Sequence, residues 1–211
     1  LNQRLEIFLK VCDALQYAHA RGVLHRDLKP SNVMIGPFGE VYVMDWGIAK
    51  VMSIVDPKEE DGALLGTLSH ISPEQARGEL SSLKPFSDQY MLGLILQELV
   101  TVQRAIPDGT LVDMLRRARR GQRAPVIHFA TKQIIRPELV AIINKSTKVQ
   151  PQDRYASVED FAEDIRRFLR EEPVLAREDP FLDKAKRWVY RHQTLTISLF
   201  LLVLIAGLVS N

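Results

Sequence analysis

Val23-Leu24-His25-Arg26-Asp27-Leu28-Lys29-Pro30-Ser31-Asn32 runs directly into Val33-Met34-Ile35, Gly36-Pro37-Phe38-Gly39 and Val41-Tyr42-Val43-Met44-Asp45. The two apolar, partly β-branched runs flanking the Gly-Pro-Phe-Gly cluster have the composition of a β-hairpin. A four-residue loop would pair Ile35 with Glu40 and set Asn32 opposite Val43, leaving Asp45 one or two residues beyond Asn32 at the open end. The hairpin thereby gathers an amide oxygen and a carboxylate in one place. Hard oxygen donors of this kind suit Mg²⁺, which takes few protein ligands and fills its remaining positions with water and phosphate oxygens.

On the N-terminal side of this stretch, Leu5, Phe8, Cys12, Leu15 and His19 recur at i, i+3, i+4 spacing and predict an amphipathic helix, broken at Gly22. A chain that opens inside such a pattern at Leu1 reads as a fragment. On the C-terminal side, VMSIVDPKEEDGALL between Lys50 and Gly66 is acidic and poorly periodic, as a loop is. Ser157-Val158-Glu159-Asp160 is a capping-box-like start for a helix whose apolar stripe is Phe161, Ile165, Phe168 and Leu169. Arg116-Arg117-Ala118-Arg119-Arg120-Gly121-Gln122-Arg123 closes a helix that starts near Asp108; with no aromatic residues interleaved, it reads as a solvated helix end rather than a nucleic-acid site, with a substrate or membrane-surface contact as the other readings.

The 211 residues are 46% hydrophobic and 26% charged, enough to bury one sizeable core and too apolar for a disordered chain. Eleven Gly and eleven Pro exclude collagen-like or low-complexity sequence, and Cys12 alone excludes a disulfide framework or a cysteine zinc site. The net charge of +2 is uneven: four basic residues after Asp183 (Lys184, Lys186, Arg187, Arg191) leave 24 basic against 26 acidic side chains before it. A nearly neutral globular part carries no nucleic-acid signature. Residues 193–211, QTLTISLFLLVLIAGLVSN, contain no charge, and Trp188 and Tyr190 stand among Lys and Arg just before them. That pattern predicts a single transmembrane helix with the globular part on the cytoplasmic side. Glu171 to Asp183, with two prolines and several charges, reads as a linker.

His25 to Asn32, HRDLKPSN, matches the catalytic loop H-R-D-x-x-x-x-N of protein kinases. Asp45-Trp46-Gly47 stands at the position of D-F-G, with Trp for Phe, and Gly66-Thr67-Leu68-Ser69-His70-Ile71-Ser72-Pro73-Glu74 resembles the end of the activation loop, with His70 where Tyr is usual. From about Leu1 to about Leu169 the chain resembles the C-terminal lobe of a bacterial-type, membrane-anchored Ser/Thr protein kinase. The resemblance implies an α+β, kinase-like C-lobe, mainly helical with a small β-hairpin at the active site and followed by one transmembrane helix. Its divisions would be 1–170 for the lobe, 171–192 for a charged and basic juxtamembrane linker and 193–211 for the membrane helix. No Gly-rich loop and no strand lysine paired with a helix glutamate is present, so the N-lobe is expected to be absent.

By the same resemblance Asp27 is the catalytic base that accepts or orients the proton of the substrate hydroxyl, and Lys29 contacts the γ-phosphate. Asn32 and Asp45 hold Mg²⁺, or Mn²⁺ in its place, with ATP as the nucleotide. His25 and Trp46 are packing residues. Thr67 hydrogen-bonds towards Asp27 and Lys29 and helps define a Ser/Thr site, and Arg26 pairs with phosphates on the activation loop, a charge that Glu59, Glu60 and Asp61 partly replace. Glu74 pairs with Arg154. Asp88 begins a buried helix, Met91 to Leu99, and braces the catalytic loop; as a residue on its own it would be an ordinary helix N-cap. The partners implied are Ser/Thr-bearing protein substrates, the lipid bilayer and a second copy for autophosphorylation, with no nucleic acid. The expected activity is ATP-dependent phosphorylation of protein Ser or Thr by the parent protein. The alternative is a membrane-tethered pseudokinase or scaffold.

Overall fold

The computed structural model describes residues 1–46, 68–79, 81, 83–128, 130–131 and 134–178. The chain begins with α1 (Asn2–His19), whose stripe Leu5, Phe8, Val11, Cys12 and Leu15 is buried and which gives way at Gly22, φ +73°. Two short strands follow, β1 (Val33–Ile35) and β2 (Val41–Val43), forming an antiparallel ribbon that lies along α1. Next come α2 (Pro73–Ala76), α3 (Pro85–Thr101), α4 (Leu111–Arg120), α5 (Pro137–Ser146) and α6 (Val158–Leu169). The last two helical starts are marked by local chemistry. Pro137 opens α5, and the Ser157 hydroxyl caps α6 by accepting from the Asp160 N–H at 3.0 Å.

Helix α3 is the axis of the fold and is apolar nearly all round, so its residues from Ser87 to Gln97 are buried. Gly93 lets it approach α5: a Cβ there would stand 2.6 Å from Thr147 Cγ2 and collide with the Ser146 hydroxyl. One core cluster joins α1, α3, α5 and α6, with Phe8 and Phe161 meeting edge to face at 5.9 Å. A second, smaller cluster holds Leu68, Ile71, Tyr90, Leu94, Ile106, Met114 and Ala118 between α2, α3 and α4.

Three expectations change. The ribbon pairs Val33 with Val43 and Ile35 with Val41, so Asn32 faces Met44 rather than Val43 and Ile35 does not pair with Glu40. The loop has three residues, because Gly36 and Glu40 still pair (Gly36 N–H to Glu40 O, 2.8 Å) and Gly39 takes φ +82°, the left-handed position of a three-residue turn. Secondly, the start of the stretch read as a linker packs on the helices. Val174 is buried in the main cluster, and the Leu175 and Ala176 N–H groups donate to the buried Asp164 carboxylate at 2.6 and 2.8 Å.

The third concerns the fold class. Among the described residues no helix is long and apolar enough to cross a membrane. The longest, α1 and α3, have 18 and 17 residues; α1 carries Arg4, Glu6, Lys10 and Asp13, and α3 is enclosed by protein. Residues 193–211, to which the spanning helix was assigned, lie outside the described residues. The fold is therefore a mainly helical, kinase-like unit with a two-stranded sheet, and the transmembrane helix is withdrawn from its description.

Candidate active site

The His25–Asn32 loop leaves α1 in a conformation that its own residues would not choose. Arg26 has φ +67°, which for a residue with a Cβ costs about 1–2 kcal/mol. Asp88, in the first turns of α3, supplies the restraint. Its carboxylate accepts the His25 N–H and the Arg26 N–H at 2.8 Å each, and the His19 ring at 2.7 Å. Lys84, not Asp88, is the N-cap of α3, so the Asp88 side chain is left to hold the loop and the end of α1. From the other side the Gln75 amide donates to the Arg26 carbonyl at 2.7 Å, and Ser72 and Gln75 cap α2 reciprocally.

Beyond that turn, His25 is buried and reaches across to the ribbon. Its Nε2–H donates to the Met44 carbonyl at 2.9 Å while Nδ1 accepts the Asp27 N–H at 3.3 Å, an arrangement that fixes the tautomer. Trp46 packs on the His25 ring with centroids 4.8 Å apart, and its indole N–H donates to the Val43 carbonyl at 2.8 Å. Both side chains hold the loop against the ribbon.

Within this frame Asp27 is 7% exposed. The Lys29 ammonium lies 3.1 Å from its Oδ2, and the Asn32 amide nitrogen donates to its backbone carbonyl at 2.8 Å and to Oδ2 at 3.4 Å. Asn32 is held in a single turn of 3₁₀ helix begun by Pro30, and its carbonyl accepts the Met44 N–H at 2.8 Å, continuing the ribbon by one pair. Asp45 is the next residue, exposed, at φ +58°, a conformation Asp tolerates better than most. The structure thus brings Asp27, Lys29 and Asn32 into mutual contact and sets Asp45 one position past the Asn32–Met44 pair. Because the Asn32 nitrogen is engaged by Asp27, its amide oxygen is the atom left for another ligand. An amide oxygen and an exposed carboxylate fit the demands of Mg²⁺, a hard cation with few protein ligands.

Of the remaining expected residues, Glu74 and Arg154 form two parallel hydrogen bonds of 2.9 Å with both side chains buried. Arg154 is further fixed by the Lys148, Phe86 and Val149 carbonyls at 2.7, 2.7 and 3.1 Å. Burial pushes the Glu74 carboxyl up, but the Arg154 hydrogen bonds and charge, with the Ser87 hydroxyl, outweigh it and leave the group below its ordinary value. His70 is buried with Nε2 3.1 Å from a Glu98 oxygen. Arg26 lies beside Asp27 with its Nε buried and unpartnered. Thr67, Glu59, Glu60 and Asp61 lie outside the described residues. Sequence reasoning missed His19 and Gln75. The signals were a polar residue ending the apolar stripe of α1 and a Ser-x-x-Gln capping box.

The family model described as the protein kinase domain matches residues 2–165. The chain is 33% identical over 182 residues to the serine/threonine-protein kinase PknD of Protochlamydia amoebophila, covering 78% of this chain and 18% of the relative. It is 36% identical over 175 residues to a probable serine/threonine-protein kinase of Streptomyces coelicolor, covering 82% and 25%. With the serine/threonine-protein kinase PknB of Mycobacterium leprae it shares 32% over 172 residues, covering 82% and 27%. The chain therefore spans between 18% and 27% of the length of these curated relatives. A match that enters at the first helix and continues into the last, through loop and ribbon alike, makes this chain a member of the protein kinase domain family.

Proposed function

We propose that the protein containing this chain transfers the γ-phosphoryl group of ATP to Ser or Thr hydroxyls of proteins. The observation that carries this reading is the contact of Lys29 and Asn32 with the nearly buried Asp27 carboxylate. Asp27 accepts the proton of the substrate hydroxyl as its oxygen bonds to the γ-phosphorus and the bond to the β–γ bridging oxygen breaks, releasing ADP. Lys29 sits where charge builds on the transferring phosphoryl oxygens. Asn32 has two roles, since one end of its amide orients Asp27 and the other, with Asp45, would hold a magnesium ion. That ion neutralises phosphate charge when bound. Asp88, Gln75, His25 and Trp46 keep the loop and ribbon in register so that these groups stay together. The names of the bacterial relatives, all serine/threonine-protein kinases, support Ser and Thr as acceptors.

The test is phosphate transfer from radiolabelled ATP to a Ser/Thr peptide library by the full-length protein, followed by phosphoamino-acid analysis. Asp27→Asn preserves size and burial and should lower turnover by roughly 10²–10⁴-fold with little change in nucleotide affinity. Transfer at the wild-type rate by Asp27→Asn removes the assignment. Nucleotide binding with no transfer by either protein would point instead to a scaffold.

A further inference from the structure

Helix α4 turns two faces in different directions. Met114 and Ala118 are buried in the second core cluster. Val112, Leu115, Arg116, Arg119 and Arg120 recur at i, i+3, i+4, i+7 and i+8 and line an open concavity of about 430 Å³. Val112 is 63% exposed at one end of this stripe, and the guanidinium groups crowd the other. The favourable field at a helix C-terminus accounts for basic residues in the last turn, but not for an exposed Val continuous with them.

The cations are available. Among the described residues Arg120 makes no hydrogen bond or ion pair and Arg116 pairs with Asp113 alone, at 2.9 Å, in a surface pair of the kind that contributes little and exchanges readily. Arg119 is anchored through Nε, which donates to the Ala76 carbonyl at 2.8 Å. Ala76 adjoins Gln75, whose amide holds the Arg26 carbonyl beside Asp27. The stripe is therefore two hydrogen bonds from the catalytic loop.

We propose that this face of α4 docks an acidic segment of the protein substrate, with carboxylates on Arg116, Arg119 and Arg120 and one apolar side chain over Val112 and Leu115. The proposal rests on the kinase reading and deepens it by naming the substrate class. Charge complementarity selects the occupant: among the described residues, the one carboxylate that pairs with these three guanidinium groups is Asp113. The stripe contains no aromatic ring on which a base would stack, which disfavours a nucleic acid.

Two measurements on the full-length protein test it. In the first, a fluorescent peptide rich in Asp and Glu with one Leu is titrated by anisotropy, against the same peptide with Gln and Asn. The acidic peptide should bind at least tenfold more tightly and weaken with salt. The variant R116E/R120E should lose at least tenfold in affinity, while R116K/R120K stays within about threefold, because the site reads charge. In the second, a Ser peptide carrying the acidic segment should show a KM about tenfold higher in R116E/R120E with kcat unchanged, and a Ser peptide without it should show no difference. Equal binding of both probes, or full affinity in R116E/R120E, overturns the proposal. So does a change from dimer to monomer in R116E/R120E with peptide affinity intact, which makes the face a self-association surface. Tighter binding of duplex DNA or anionic vesicles than of the peptide also overturns it. Failure of the kinase reading is distinguishable, as acidic-peptide binding without phosphate transfer.

Discussion

Glu74 and Arg154 show what one buried residue pair commits the molecule to. Removing a single partner leaves an uncompensated charge where solvent cannot reach, so Arg154→Met should cost about 3–5 kcal/mol, measured by urea unfolding. Glu74 also gives stability a pH dependence. Its folded-state value lies below the ordinary 4.5, so its contribution is fully present above that pH and is lost as the pH falls through the lowered value. Glu74→Gln should therefore differ most from wild type in melting temperature above about pH 5 and converge with it in acid. The resemblance pointed to both partners, and to Asp27, Lys29, Asn32 and Asp88, because each stands in a short pattern that can be quoted from the sequence. It did not point to His19 and Gln75. Each acts on a group 49 or more residues away, and nothing local names that group.

At the scale of elements, the two apolar, partly β-branched runs on either side of Gly36-Pro37-Phe38-Gly39 revealed the ribbon, while its register escaped by one residue. Composition marks a turn but does not count its residues; Gly39 in the left-handed region does, and glycine's permissiveness is silent about where it will be used. The resemblance had Asp88 begin the buried helix of Met91 to Leu99; α3 starts three residues before Asp88, at Pro85, and runs two past Leu99, to Thr101. What the apolar run could not convey is how near another helix comes. Gly93 stands where α5 ends against α3, and Gly93→Ala would press a methyl group on Ser146 and Thr147. That overpacking should cost about 1–3 kcal/mol and appear as a lower denaturation midpoint with an unchanged m-value.

At the scale of the whole molecule, residues 173–177, just after α6, belong to the fold although their proline and charge resemble a tether. Asp164, buried among Tyr155, Leu175 and Ala176, captures two backbone N–H groups and the Tyr155 hydroxyl at 2.8 Å, and Val174 follows them into the core. Asp164→Ala should speed amide exchange at Leu175 and Ala176 at least tenfold and cost about 2–4 kcal/mol, as it leaves the Tyr155 hydroxyl unsatisfied. Local composition could not anticipate this, because the acceptor lies eleven residues upstream on the far side of a turn. The hydropathy of residues 193–211 likewise described a segment without describing this fold. The Asp88 carboxylate has a wider meaning in that setting. It is carried by the helix on which both hydrophobic clusters close, so the His25–Asn32 loop takes its shape from the interior itself. If the proposed transfer uses this loop, a change that loosens the packing around α3 should weaken transfer and cohesion together.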